Sequence, residues 1–174
     1  MQLQDIRKRL ASDFPQPISQ KAATRAWLGS LAKDYPLALT LTLKQQIVEI
    51  TPLGRRQHAI TRQDAEKIAK RFIQKLNRAV FGKRAAEKHG KTLKYIVVLE
   101  GERSKKNLHL HFSIGGLPST IRFNQFDGLV KEAKSLVEHV DEQHKTDLAD
   151  GGWMEYICKE LGRKDTDNVL WSLC

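Results

Sequence analysis

The segment from residue 107 to residue 114 alternates strictly between apolar and polar side chains. This period-two pattern is typical of a half-buried β-strand. The polar face carries His109 and His111, which lie about 6–7 Å apart at a rise of about 3.3 Å per residue. Two imidazole nitrogens at that spacing can bind one divalent metal ion. Two solvated surface histidines would produce the same pattern, so the rest of the chain has to distinguish the two interpretations.

A second predicted strand, over residues 93–100, ends in Glu100 and leads through a predicted hairpin turn at 101–106 into the histidine strand. If the two strands pair antiparallel, the Glu100 carboxylate comes alongside the imidazoles. Two histidines and one carboxylate with open coordination positions suit Mg²⁺ or Mn²⁺. Glu102 is an alternative third ligand.

The segment between Gly151 and Gly162 predicts a short helix over residues 152–161. Tyr156 and Lys159 lie opposite its apolar stripe, at a spacing that brings the two side chains together. A phenol with an ordinary pKa of about 10 is a poor nucleophile at neutral pH. A nearby cation and a metal ion would both favour the phenolate and help to neutralise a phosphate under attack. A tyrosine and a lysine on a solvated helix surface are the alternative interpretation.

The chain is strongly basic, with 30 Lys and Arg against 20 Asp and Glu among 174 residues and a net charge of +10. This charge favours a nucleic-acid partner, because dense Lys and Arg neutralise phosphates and release counterions. No apolar run approaches the roughly 18 residues of a membrane-spanning helix, and no phosphate-binding loop motif occurs, so we expect neither a membrane partner nor a nucleotide cofactor. Cys158 and Cys174 lack metal-type spacing and are interpreted as free thiols of a reducing, cytoplasmic compartment.

The remaining pattern predicts an α+β fold. Further strands are expected at about 37–43 and 46–52, joined by a basic connection around Arg55 and Arg56. One amphipathic helix follows a capping box at Thr61 and Asp64, and a second is expected to be capped by Asn124. Residues 141–150 predict no regular structure. Proline breaks divide the chain into an N-terminal helical arm at 1–34 and a domain at 35–174.

Three of these segments together resemble the ordered motifs of the HUH endonucleases, specifically the single-tyrosine replication initiators (Rep) of rolling-circle elements. The strand Leu39–Leu43 resembles the first motif, with leucine in place of the usual aromatic residue. His109-Leu-His111, with Glu100 upstream, matches the second motif, and Tyr156-Ile-Cys-Lys159 matches the third. The resemblance covers about residues 35–162.

The resemblance implies an antiparallel sheet of about five strands with helices packed on one face, in a ferredoxin-like or RNA-recognition-like arrangement. It implies a metal-dependent, site-specific endonuclease and strand transferase acting on single-stranded DNA at a replication origin. Glu100, His109 and His111 would hold Mg²⁺ or Mn²⁺, and Tyr156 would form a 5′-phosphotyrosine and release a 3′-OH. Lys159 would orient or neutralise the phosphate. A host helicase and polymerase would be the further partners.

Candidate DNA-contacting residues are two threonines on the open sheet face and four basic residues in connections, namely Thr40, Thr42, Arg55, Arg56, Lys105 and Lys106. The main alternative function is a non-catalytic nucleic-acid-binding module on the same fold, although the predicted open face lacks the stacking aromatics that such modules use. Related enzymes fit less well: conjugative relaxases place the tyrosine before the histidines, and single-tyrosine transposases typically have Gln where this chain has Lys159. A two-histidine phosphoesterase would need a second histidine motif.

Overall fold

The computed structural model describes residues 19–102, 107–159 and 168–174. In chain order the helices and strands are α1 Gln20–Ser30, β1 Leu37–Leu43, β2 Gln46–Thr51, β3 Gly54–Ala59, α2 Arg62–Phe81, α3 Lys83–Lys88, β4 Lys94–Glu100, β5 His109–Gly115, α4 Phe123–Ser135, β6 Val140–Leu148 and α5 Trp153–Ile157. Short 3₁₀ helices lie at Ala32–Asp34 and Trp171–Leu173. None of the described helices is long and apolar enough to cross a membrane.

The main sheet has the strand order β4-β5-β1-β6, and each neighbouring pair is antiparallel. One sheet face packs against α2 and α4 in the larger hydrophobic core. Phe72 of α2 and Phe112 of β5 are fully buried there, with ring centroids 5.4 Å apart. Burying an aromatic side chain of this size contributes about 1.5–3 kcal/mol, so this layer fixes the orientation of β5.

The opposite sheet face is partly covered by α1 and α5. A second, smaller core brings Leu28 of α1 against Ile96 and Val98 of β4 and against Met154 and Ile157 of α5. The segment that starts at residue 19 therefore packs on the helix that carries the tyrosine. The predicted domain boundary at 34/35 stays a prediction, and residues 1–18 of the predicted arm lie outside the described residues.

The α+β antiparallel fold is confirmed, and the strand count of the sheet differs from the expected five. Within the described ranges the main sheet has four strands, and an isolated antiparallel bridge between Val98 and Val169 extends it beyond β4. The predicted strand at 46–52 pairs instead with β3 in a separate two-stranded sheet. The segment predicted as a basic connection is thus itself a strand, turned by a two-residue loop into Gly54 at a φ of 118°.

Two further expectations were wrong in detail. Residues 141–150 were expected to be irregular, but β6 lies there, paired with β1. Most of its residues are partly or fully exposed, so the strand needs no apolar alternation. The second helix is capped at Arg122 rather than Asn124, since the Gln125 side chain accepts a hydrogen bond from the Arg122 backbone N–H at 2.8 Å. The capping box at Thr61 and Asp64 is confirmed.

Candidate metal and nucleophile site

The strand register places the predicted ligands on one sheet face. Glu100 of β4 lies opposite His109 of β5, and His111 lies between Val98 and Thr40 of the two flanking strands. Side chains two positions apart share a face, so Glu100, His109 and His111 all project toward the side that α5 covers. The face opposite the α2–α4 layer therefore carries the candidate chemistry, as the sequence predicted.

The three predicted ligands converge. One potential ligand atom from each of Glu100, His109 and His111 lies within 4.8 Å of the other two. The His111 Nε2 is 2.8 Å and the His109 Nε2 is 3.4 Å from the same oxygen, Glu100 Oε2. Glu100 and His111 are each only 2% exposed, whereas His109 lies at the solvent edge.

Hydrogen bonds on the far side of each ring orient the imidazoles. His109 Nδ1 lies 2.8 Å from the backbone carbonyl of Asn107, which can only accept, so this nitrogen carries the proton. The Nε2 lone pair of His109 then faces the cluster, as metal binding requires. His111 Nδ1 lies 3.0 Å from Thr40 Oγ1. The donor set and these outer contacts fit a divalent metal held by two imidazoles and a carboxylate.

The charge states also suit a cation. Burial pushes the pKa of Glu100 upward, but hydrogen bonds from His111 and Lys159 outweigh it and hold the pKa well below its usual range. Burial lowers the pKa of His111, and the hydrogen bond to Glu100 only partly opposes it. Burial lowers the pKa of Lys159, but its hydrogen bond to Glu100 raises it further. The cluster thus holds an ionised carboxylate, a neutral imidazole and an ammonium.

The predicted nucleophile borders this cluster. The Tyr156 ring is 47% exposed and stands edge-on to the His111 ring, with centroids 5.5 Å apart. The ammonium of Lys159 lies 3.6 Å from the centre of the Tyr156 ring. The chain has three tyrosines, and the other two differ in environment. Tyr95 is buried and donates to Asn77, whereas Tyr35 is partly buried beside the second core.

The helix that carries Tyr156 is shorter than predicted. α5 ends at Ile157, and Lys159 lies in the turn that follows rather than within a helix to residue 161. Leu161 of the predicted stripe lies outside the described residues. Lys159 still meets Tyr156, because its backbone N–H bonds to the Tyr156 carbonyl at 3.2 Å.

Trp153 is a site residue that the sequence analysis assigned only to the apolar stripe. Its indole N–H donates to Ser113 Oγ at 2.9 Å, and its ring stacks on Tyr156 with centroids 5.6 Å apart and planes 19° apart. Trp153 also stands edge-on to His111. The spacing of three residues between Trp153 and Tyr156 was the available signal, since such residues are neighbours on a helix surface.

The other predicted residues divide between the site and more distant surfaces. Thr40 contacts His111, and Thr42 lies opposite His109 in the register. Glu102, the alternative ligand, lies outside the cluster and approaches Arg62 at 3.4 Å. Two predicted DNA-contacting residues are exposed on the separate β2–β3 hairpin, namely Arg55 and Arg56. Two others lie outside the described residues, namely Lys105 and Lys106.

A comparison with known protein families matches residues 36–165 to the model of the replication-associated protein ORF2 family. The matched region begins just before β1 and includes every residue of the cluster as well as Tyr156 and Lys159. No curated protein and no solved structure matches the chain. The family match covers most of the sequence, from the first strand of the sheet past the tyrosine helix. The chain therefore belongs to the replication-associated protein ORF2 family.

Proposed function

We propose that this replication-associated protein is a metal-dependent, site-specific endonuclease and strand transferase for single-stranded DNA. It would initiate rolling-circle replication of a plasmid, phage or other mobile element. The observation that carries this proposal is the convergence of Glu100, His109 and His111 beside an exposed tyrosine that has an ammonium over its ring. A binding module has no need for a buried carboxylate that two imidazoles and a lysine surround.

The metal site consists of Glu100, His109 and His111, with Mg²⁺ or Mn²⁺ as the ion. A bound divalent ion would polarise the scissile phosphate and offset the negative charge that develops on it. The carboxylate and the neutral imidazoles supply the lone pairs. Because His109 lies at the solvent edge, the open coordination positions face the side from which a DNA strand can approach.

Tyr156 acts as the covalent nucleophile. Its phenol loses a proton to solvent, and Oη attacks the phosphorus atom. A new P–O bond to tyrosine forms as the P–O3′ bond breaks, and the departing oxygen takes a proton from water to become a free 3′-OH. The products are a 5′-phosphotyrosine and a 3′ end that a polymerase can extend.

The covalent link conserves the energy of the phosphodiester bond. Attack by a 3′-OH on the phosphotyrosine reverses the step, rejoins DNA and restores Tyr156 without ATP. Lys159 holds its positive charge between the carboxylate and the phenol ring, 2.8 Å from Glu100 Oε2. From there it can neutralise the phosphate in both directions of the reaction.

The DNA partner is a single strand at the replication origin. The net charge of +10 favours its phosphates, with Thr40 and Thr42 beside the reacting centre and Arg55, Arg56, Lys105 and Lys106 along the backbone. A host helicase and polymerase would act on the nicked template. We place this activity in the cytoplasm, at the nucleoid if the host is bacterial.

A denaturing gel tests the proposal. A single strand from the replication origin, labelled at its 3′ end, is incubated with protein and Mn²⁺. We expect a labelled protein–DNA adduct with the natural chain and with Tyr35→Phe, and no adduct with Tyr156→Phe or in EDTA. Cleavage and adduct formation by Tyr156→Phe would refute the nucleophile. Salt-dependent DNA binding without cleavage by any variant would favour the non-catalytic module.

A further inference from the structure

A cleft of about 490 Å³ opens between α5 and the edge strand β6, on the side of Tyr156 that faces away from the metal ligands. Its volume lies within the range of about 300–1,000 Å³ that is typical of small-ligand sites. The rings of Trp153 and Tyr156 form one wall, and Lys145 and Asp147 of β6 form the other. The tyrosine that borders the metal cluster is therefore also a wall of this cleft.

The register of the sheet explains the space. On β1, Ala38 lies opposite Asp147 and Thr40 lies opposite Lys145, so the floor of the cleft has only small side chains. Thr40 is also the hydrogen-bond partner of His111. Whatever occupies the cleft thus touches the residue that orients a metal ligand.

The charges of the cleft favour a nucleobase over a phosphate. Among the described residues that line it, Lys145 is the single cation, whereas both Asp147 and Asp150 contribute carboxylates, so a phosphate would meet a net negative lining. The Lys145 ammonium lies 3.3 Å from the Asp147 carboxylate, which places a donor directly beside an acceptor. Two aromatic rings complete the wall, as in other sites that hold unpaired bases.

The paired donor and acceptor match one base best. Guanine presents the O6 acceptor beside two donors, N1–H and the N2 amino group. Cytosine and adenine offer one donor group on that edge, and thymine has a single N–H between two acceptors. A carboxylate can accept both guanine donors at once while the lysine donates to O6. Such a two-bond contact discriminates between bases by about 1–3 kcal/mol, or about 5- to 150-fold in affinity.

We propose that this cleft binds a guanine base of the DNA strand next to the scissile phosphate, with Asp147 and Lys145 as the residues that determine specificity. The inference rests on the proposed function for the identity of the ligand as DNA. It adds that the enzyme selects its nicking position partly through this one base.

Binding of pentanucleotides tests the inference without any cleavage. The intact chain is titrated in EDTA with fluorescently labelled d(TTGTT) and with pentamers that carry inosine, adenine, cytosine or thymine at the centre. We expect d(TTGTT) to bind about tenfold more tightly than d(TTTTT), and the inosine pentamer, which lacks the N2 amino group, to fall between them. Asp147→Asn should reduce the guanine preference to about twofold or less. Lys145→Gln should reduce it by a smaller factor.

The control is Asp141→Asn, which removes a carboxylate of β6 that does not line the cleft. It should retain the full guanine preference. Equal or undetectable binding of all pentamers would overturn the inference, and so would a guanine preference that survives Asp147→Asn. Adduct formation is measured separately with Mn²⁺ and the origin strand. Loss of the adduct would count against the proposed function, whereas loss of the base preference alone would count against the cleft.

Discussion

The ammonium of Lys159 lies 2.8 Å from Glu100 Oε2, the same carboxylate oxygen that both imidazoles approach. Lys159 therefore supplies a positive charge at the position where a bound metal ion would need one. The ammonium compensates the buried carboxylate while the ligands are already converged, so the site is organised before metal binds. A metal ion that binds there must share Glu100 with Lys159 or displace its ammonium.

Replacing Lys159 should separate metal binding from catalysis. In Lys159→Met the competing cation is absent, so we expect Mn²⁺ to bind about three- to tenfold more tightly. DNA cleavage should fall by more than about tenfold, because the charge beside Tyr156 and the phosphate is lost. Calorimetry with Mn²⁺ and single-turnover gel kinetics measure the two effects. Lys70→Met, on the exposed side of α2, should change neither, and weaker metal binding by Lys159→Met would contradict the competition.

The two acidic residues near the β4–β5 turn should differ in their effect on metal binding. Glu100→Gln removes the charged ligand, so the affinity for Mn²⁺ should fall by more than about tenfold. Glu102→Gln should leave the affinity unchanged, since Glu102 lies outside the cluster and approaches Arg62. Titration followed by electron paramagnetic resonance measures free Mn²⁺ directly. A larger loss in Glu102→Gln would make Glu102 the ligand and refute the assignment.

Thr40 should act on the metal through His111. A neutral His111 that donates from Nε2 to Glu100 accepts at Nδ1 from the Thr40 hydroxyl; with Nε2 bound to metal, Nδ1–H must donate instead. A hydroxyl can serve in both arrangements, but the isosteric Thr40→Val cannot. We expect about tenfold weaker Mn²⁺ binding. Thr42→Val, on the same face of β1, is the matched control. Equal affinities for the two variants would remove this role from Thr40.

The sequence was sufficient to predict the site wherever a short-range pattern determines the geometry. Period-two alternation in β4 and β5 and one hairpin connection bring Glu100 beside His109 and His111. Trp153 could not be placed in the same way, because its contact with Ser113 depends on how α5 crosses the sheet. That crossing is set by the packing of Met154 and Ile157 against Ile96 and Val98, which no local pattern encodes.

Edge strands and separate hairpins were the harder part of the fold. β6 is bonded to β1 on one side only and has mostly exposed or half-exposed side chains, so its sequence resembles a loop. β3 likewise has no fully buried residue. The wall of the cleft formed by Lys145 and Asp147 followed only from the observed register. Apolar periodicity detects strands that face a core, and it fails for strands whose stability comes from backbone pairing.

A polar cluster that joins α4 to β6 should give the protein an acid-sensitive contact. Hydrogen bonds from Lys131 and Thr146 lower the pKa of Asp127 to about 2. A carboxyl whose pKa is lowered on folding stabilises the fold above its unfolded pKa of 3.8, and this contribution is lost as the pH falls toward about 2. Asp127→Asn should therefore lower Tm at pH 7 by about 2–4 °C, and the difference should narrow on acidification.

Thermal unfolding followed by circular dichroism between neutral pH and about pH 3 measures this difference. Asp141→Asn, also on β6, has no such set of partners among the described residues and should leave Tm nearly unchanged. A Tm difference for Asp127→Asn that stays constant down to acid pH would contradict the assigned contact.

The most direct test of the central claim is to identify the residue that becomes joined to DNA. The natural chain is incubated with the origin single strand and Mn²⁺, the adduct is digested with protease and nuclease, and the modified peptide is sequenced by mass spectrometry. We predict a nucleotide linked through a 5′-phosphate to Tyr156, absent when EDTA is present. A nucleotide on Tyr35, Tyr95 or any other residue, or no linked nucleotide despite cleavage of the strand, would contradict the account.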